Sequence, residues 1–329
     1  MKRLLYKAIQ KINELKYPEL DREYVACITG NHYSRLHELK FYGKDYFSRK
    51  RYKEISYHGE FQQELTFVLP FAYWHHLNGT LKKTISSKNT QQFYFFSPTH
   101  EEQFERREWK GWDHSFGIPN MAHCNTFDYS KWLAVPLKEQ YSNDIYRYTK
   151  PIMIVANKYN IEWGKPPVNF LDLATLNKIF SRFKNDYQII YNRPKAFHIV
   201  PDHSDILDLN EHEWIKMHHP EVITFDDLYL RRPRMAQNFN HLQLLVYSNA
   251  EHFISVHGGT AALASYFGGT NIILSKMGYE HIFKEYETIF PRLSGSRILH
   301  ATDSEALLGF AFHHFEVFKE RNKSAFHQT

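Results

Sequence analysis

Residues Phe253 to Thr270 read FISVHGGTAALASYFGGT, and the order of the parts in this stretch decides the fold. An apolar run, Phe253 to Val256, stops at His257 and the pair Gly258-Gly259, and small residues then open a predicted helix over 261–267. Glycines let backbone amides approach a ligand closely, and a helix starting there presents unpaired N–H groups and a partial positive charge. The expected occupant is an anion. Thr260 offers a hydroxyl donor or a helix cap, and His257 falls at the carboxyl end of its strand, where open α/β sheets take their ligands. Gly268-Gly269 is expected to end the helix and turn the chain into the strand Asn271 to Leu274. A lone Gly-Gly would mark only a tight turn. The complete strand, HGG, helix, GG, strand unit points to a phosphate holder.

The pattern continues outward from this unit. Pro151 to Ala156 (PIMIVA) is a chargeless buried-strand run. Helices are predicted over 169–183, 238–248 and 304–319, and strands over 187–191 (YQIIY), 221–225 (EVITF) and 252–256 (HFISV). This alternation defines an α/β class with a mostly parallel sheet covered on both faces. The restart near Pro151 in a chain of 329 residues sets two domains, 1–149 and 150–329. In the first, Tyr24 to Thr29 (YVACIT) reads as a buried strand feeding the loop Gly30-Asn31-His32-Tyr33. Further strands are expected at 65–70 (LTFVLP) and 92–96 (QFYFF), with a helix over 71–77. From Glu101 to Asn143 the chain is irregular and rich in Trp, His and Arg, a composition that suits either a site-lining loop or an aromatic surface packed beneath one.

Composition narrows the classes. With 43% hydrophobic and 16% aromatic residues the chain is globular. Two cysteines, Cys27 and Cys124, provide neither a disulfide framework nor a thiolate zinc site, and fit a reducing, cytoplasmic address. No signal-peptide core is seen, and no run approaches the ~20 apolar residues of a membrane span. A net charge of +5 with 21 histidines favours anionic small ligands or lipid surfaces over nucleic acid. Residues 2–16, KRLLYKAIQKINELK, place Leu4, Leu5, Ala8, Ile9, Ile12 and Leu15 along one face of a basic amphipathic helix. Two readings stay open for it: a helix docked on its own domain, or a peripheral contact with the anionic inner face of a membrane.

The His257 turn, together with Ile152 to Leu173 (IMIVANKYNIEWGKPPVNFLDL) and Tyr191-Asn192-Arg193-Pro194, resembles the donor half of glycosyltransferases of the GT-B architecture. In that architecture two Rossmann-like domains face each other across a cleft. The likeness spans mainly residues 151–295, and similar bacterial enzymes of surface-polysaccharide assembly carry a comparable HGG-containing strand-to-helix turn. It implies a metal-independent transferase that uses a nucleotide sugar as co-substrate, needs no further cofactor, and extends a glycan or lipid-linked acceptor. Domain 150–329 would then bind the donor and domain 1–149 the acceptor. Donor contacts would come from Asn157, Lys158, Asn192, Arg193, His257, Gly258, Gly259, Thr260, Lys276 and Glu280, the last accepting sugar or ribose hydroxyls beside Tyr279. The base that deprotonates the acceptor would be His32 or Asp113, the latter beside the possible sugar-stacking rings of Trp109 and Trp112; Glu60, Glu101 and His114 are rivals.

Other chemistries lack their signatures. No Asp-x-Asp pair is present to hold a diphosphate-bound ion: Asp226-Asp227 are adjacent, and Asp202 and Asp205 are three apart. The pairs His75-His76, His218-His219 and His313-His314 have no zinc-type partners. Walker A, GxSxG and GxGxxG motifs are absent from the sequence. A pyruvyl or other group transferase on a similar scaffold, and a non-catalytic nucleotide-binding protein, remain as alternatives.

Overall fold

The computed structural model describes all residues except 1, 49, 109–116, 121–122, 125, 163, 232–233, 279 and 327–329. The chain divides into two compact units, one formed by Met1–Val135 with Tyr279–Glu285, the other by Pro136–Gly278 with Tyr286–Thr329.

The first unit opens with the helices Lys2–Lys16 and Arg22–Leu39. A three-stranded parallel sheet follows, built from β1 (Lys53–Ser56), β2 (Leu81–Ser87) and β3 (His100–Phe104) in that spatial order. Between β1 and β2 the chain forms a π-helical turn, Glu64–Val68, that runs into the helix Leu69–Leu77. Three strand expectations are overturned here. YVACIT lies inside the helix Arg22–Leu39, started by Asp21, whose carboxylate accepts the N–H groups of Glu23 and Tyr24. Its buried residues are Val25, Cys27, Ile28, Thr29, Gly30, Asn31, Ser34 and Glu38: the apolar ones cluster in the first turns and read as a run, while the positions that continue the buried face, Asn31, Ser34 and Glu38, are polar, so apolar periodicity does not register the helix. LTFVLP is helical and buried throughout, which erases any period, and QFYFF contributes to the 3₁₀ turn Gln91–Tyr94.

Among its described residues, the first unit buries charge networks around Glu64 and around Glu38 with Asp45. Glu64 accepts from Arg107 at 2.6 Å, from Tyr94 at 2.8 Å and from Ser86. Glu38 meets Lys53 at 3.2 Å and Lys131 at 3.4 Å, and Asp45 takes Lys131 and the Tyr52 hydroxyl. Glu38, Asp45 and His75 are close enough to share an ion, but both carboxylates are already matched by ammonium groups.

The second unit carries a six-stranded sheet in which every paired neighbour is parallel. Its strands are β4 (Ile152–Ala156), β6 (Gln188–Asn192), β8 (Ile223–Thr224), β9 (Ala250–Val256), β10 (Thr270–Leu274) and β11 (Arg297–Ala301). A small antiparallel pair, β5 (Asn160–Ile161) and β7 (Asp205–Ile206), lies outside it. The spatial order β11-β10-β9-β4-β6-β8 means that the chain builds outward from β4 on one side, then returns to β4 and builds outward on the other. This is the doubly wound Rossmann-like order, and its switch point lies between β4 and β9.

Alternation along the strands explains why both faces are covered. Ile254, Val256, Ile272 and Leu274 join the core made with Leu176, Ile179 and Phe180 of the helix Leu173–Phe183 and with Leu307, Ala311 and Phe315 of the helix Ser304–Phe326. On the other face, Phe253 meets the Tyr247 ring at 5.7 Å, and Asn271 bonds Ser255, Ser265 and the Ala261 carbonyl beneath the short helix Gly259–Ala264.

Candidate functional site

The loops that leave the carboxyl ends of β4 and β9 flank the switch point, the position where open α/β sheets form a crevice. After β9 the turn takes the shape its sequence demands. His257 donates its N–H to Leu274 at 2.9 Å, and Gly258 adopts φ +107, ψ −151, a conformation essentially restricted to glycine. The helix Gly259–Ala264 then begins without a side-chain cap. The Thr260 hydroxyl donates back to the Val256 carbonyl at 2.7 Å, so it ties helix to strand and does not cap. Gly268 and Gly269 end the segment at φ +74 and +66. A Cβ on Gly269 would stand 2.0 Å from the Glu251 carbonyl oxygen, which makes glycine obligatory there.

The His257 ring is held by two hydroxyls at Nδ1, Ser275 at 2.9 Å and Tyr286 at 2.5 Å. Beside the turn, the Lys158 ammonium lies 3.7 Å from where a Gly258 Cβ would be, and pairs with Glu162 at 2.6 Å. Lys276 follows β10. Its N–H is fixed by Asn169 at 2.7 Å, and its ammonium stands 5.5 Å from the centre of the Phe170 ring. Phe170 meets Tyr159 edge to face at 4.8 Å, and both rings are half-buried. Lys158, His257, the Gly258-Gly259 backbone and Lys276 therefore sit on the loops after β4, β9 and β10, with an aromatic pair among them.

Three residues read as donor contacts are spent inside the protein. Asn157 uses its whole amide: Nδ2 donates to the Leu171 carbonyl (2.9 Å) and the Tyr191 hydroxyl (3.1 Å), while Oδ1 accepts the N–H groups of Lys158 and Leu171. It braces the Lys158 loop against residue 171 and does not face a ligand. Asn192 donates to Gln243 at 2.9 Å and Tyr247 at 2.7 Å. Arg193 is buried against Glu211, with further bonds to the Leu207 carbonyl at 3.0 Å and Asp208 at 3.3 Å. Burial opposes ionisation of Glu211, but hydrogen bonds from His212 and Arg193 outweigh it and hold the carboxyl down at about 2. Polar residues at strand ends look alike in sequence whether they serve a ligand or a buried network.

Glu280 belongs to the other unit. It is buried, accepts from Gln62 at 3.2 Å and lies 3.9 Å from His123 Nδ1. His32 lies within the helix Arg22–Leu39, where burial and then the charges of Arg35 and Lys16 lower its pKa; no strand end precedes it. Asp113, Trp109, Trp112, His114 and Tyr279 lie outside the described residues.

A proton-handling group that the sequence reading missed is His123 with Glu285. The His123 N–H donates to the Glu285 carboxylate, and its ring Nδ1 lies 3.7 Å from the same oxygen. Burial works against the imidazolium, but Glu285 and Glu280 outweigh it and raise His123 to about 9. Burial raises Glu285 as well. The separation of 162 positions between the partners leaves no local signal, although the left-handed backbone of His123 (φ +62) marks an unusual turn.

Comparison with family models, curated proteins and solved structures finds no match.

Proposed function

We propose that the second unit binds the diphosphate of a nucleotide sugar and that the protein is a glycosyltransferase of the GT-B type acting on a glycan or lipid-linked acceptor. The observation that carries the reading is the pairing of the glycine-only turn at Gly258 with Lys158 across the switch point of an all-parallel, doubly wound sheet. Backbone N–H groups at 259–260, Lys158 and Lys276 are the positive groups suited to a departing diphosphate, and the Tyr159–Phe170 pair offers faces for a flat base. In the transfer, the bond between the sugar's anomeric carbon and the phosphate oxygen breaks, and the acceptor oxygen bonds that carbon. The acceptor proton passes to a base, and the nucleotide (UDP or GDP from a diphosphate donor, CMP from a CMP sugar) leaves with the electron pair of the broken bond. His32 and Asp113 are the bases to be tested; His123, kept protonated up to about pH 9 by Glu285 and Glu280, is not among them.

A thermal-shift panel of UDP, GDP, CMP and inorganic pyrophosphate tests the binding step. One nucleotide at a hundred times its Kd should stabilise the fold by about 2.7 kcal/mol, and Lys158→Ala should remove the shift. No shift with any nucleotide refutes the reading. A shift with pyrophosphate alone moves the protein to the group transferases that use phosphorylated donors without a nucleoside. Nucleotide binding without release of nucleotide from any sugar donor, with acceptor extracts present, leaves a non-catalytic binder.

A further inference from the structure

The helix Lys2–Lys16 settles on its own unit by an unexpected side. Tyr6 packs edge to face on Tyr33 at 5.8 Å, Asn13 donates to Thr29 at 3.1 Å, and Ile9 and Gln10 are half-buried on the same face. The leucine stripe turns outward: Leu4 is 72% exposed, Leu5 47%, Ile12 62% and Leu15 74%. At about 100° per residue these four side chains and Ala8 span an arc of about 100°. Lys7 and Lys11 run along one edge of that arc and Lys16 lies along the other. The helix sequence carries Lys2, Arg3, Lys7, Lys11 and Lys16 against the single acid Glu14, which an exposed pair with Lys11 at 3.4 Å partly offsets.

An apolar helix normally buries its stripe against its own core, because each leucine left in water forgoes transfer free energy. Here a mixed face does the docking, and the apolar face is left outward with lysines at its borders. That is the layout of an interfacial helix: leucines enter the acyl boundary while flanking lysines extend to anionic headgroups.

We propose that this face is a docking surface for a bilayer containing anionic phospholipid, with the helix axis in the membrane plane. The inference is independent of the glycosyltransferase reading, since it rests on a different element and needs no donor. Flotation of the full chain with phosphatidylcholine vesicles, with and without phosphatidylglycerol, tests it. The protein should float with the anionic vesicles and not with the neutral ones, and added salt should release it. Leu4→Glu and Leu15→Glu should each weaken the partition roughly tenfold. Lys7→Glu with Lys11→Glu should weaken it on anionic vesicles. All four positions are exposed, so circular dichroism and the melting temperature should not move. Failure to float with either vesicle overturns the proposal, as does flotation indifferent to the leucine substitutions. A dimer in sedimentation equilibrium that Leu4→Glu dissolves also overturns it and gives the face to a second copy of the chain.

Discussion

Lys158 has a partner before any ligand arrives, and this makes its role measurable. The ammonium sits 2.6 Å from Glu162, whose side chain is one-third exposed, so the pair contributes about 0.5 kcal/mol in its semi-solvated setting. A diphosphate entering beside Gly258 must draw Lys158 away from Glu162. Glu162→Gln removes that competition and a repelling charge together, and should tighten nucleoside diphosphate binding about two- to fivefold. Lys158→Ala removes a charge-assisted contact of about 1.5–3 kcal/mol and should weaken binding roughly ten- to a hundredfold. The double variant should bind close to Lys158→Ala, slightly tighter only by the direct Glu162 repulsion, because the competition for the lysine is gone in both. Titration calorimetry at fixed ionic strength reads all four proteins. Unchanged affinity in Lys158→Ala, or weaker affinity in Glu162→Gln, would refute the assignment.

Three further outcomes separate structural from ligand-facing roles. Gly269→Ala, with its Cβ driven against Glu251 and φ at +66, should cost about 3–5 kcal/mol in urea unfolding, whereas Gly258→Ala has room for the methyl and should cost about 1–3 kcal/mol while losing nucleotide affinity. Arg193→Ala leaves the Glu211 carboxylate buried without its guanidinium, and should lower stability by about 3–5 kcal/mol with nucleotide affinity of the folded protein unchanged. His123 is raised to about 9 in the folded chain from an ordinary 6.5, so its contribution is full below pH 6.5 and is lost as pH rises through 9. The unfolding free energy from urea titrations should fall across that window by about 3 kcal/mol or less, and the fall should flatten in His123→Gln.

Legibility differed between the halves for physical reasons. In the second unit the central strands are buried on both faces, so IMIVA, HFISV and NIIL stand out as apolar runs, and the His257 turn follows directly from HFISV. β11 escaped because Arg297–Ala301 is only partly buried and carries a charged and an imidazole side chain. In the first unit the strands are charged: Lys82 pairs with Glu54 at 2.7 Å and Lys83 with Glu101 at 2.5 Å across neighbouring strands, so hydropathy does not mark them. The apolar runs there are helices instead. Within the site, Gly258 and Lys158 were legible because backbone conformation and strand ends have sequence signatures. The engagement of Asn157, Asn192 and Arg193 was not, because their partners Leu171, Gln243, Tyr247 and Glu211 lie 14 to 55 residues away, beyond any local pattern.

The segment Tyr279–Glu285 belongs to the unit that the first 135 residues begin, which imposes a schedule on synthesis. At roughly 5–20 residues per second on a ribosome, the 162-position separation of His123 and Glu285 delays completion of the first unit by about ten to thirty seconds. Through that interval His123 has no Glu285 to hold its charge, while most of the six-stranded sheet is still emerging. A fragment cut at Val135 would stay in that waiting state for good, so the nascent first unit depends on the chain's own later sequence.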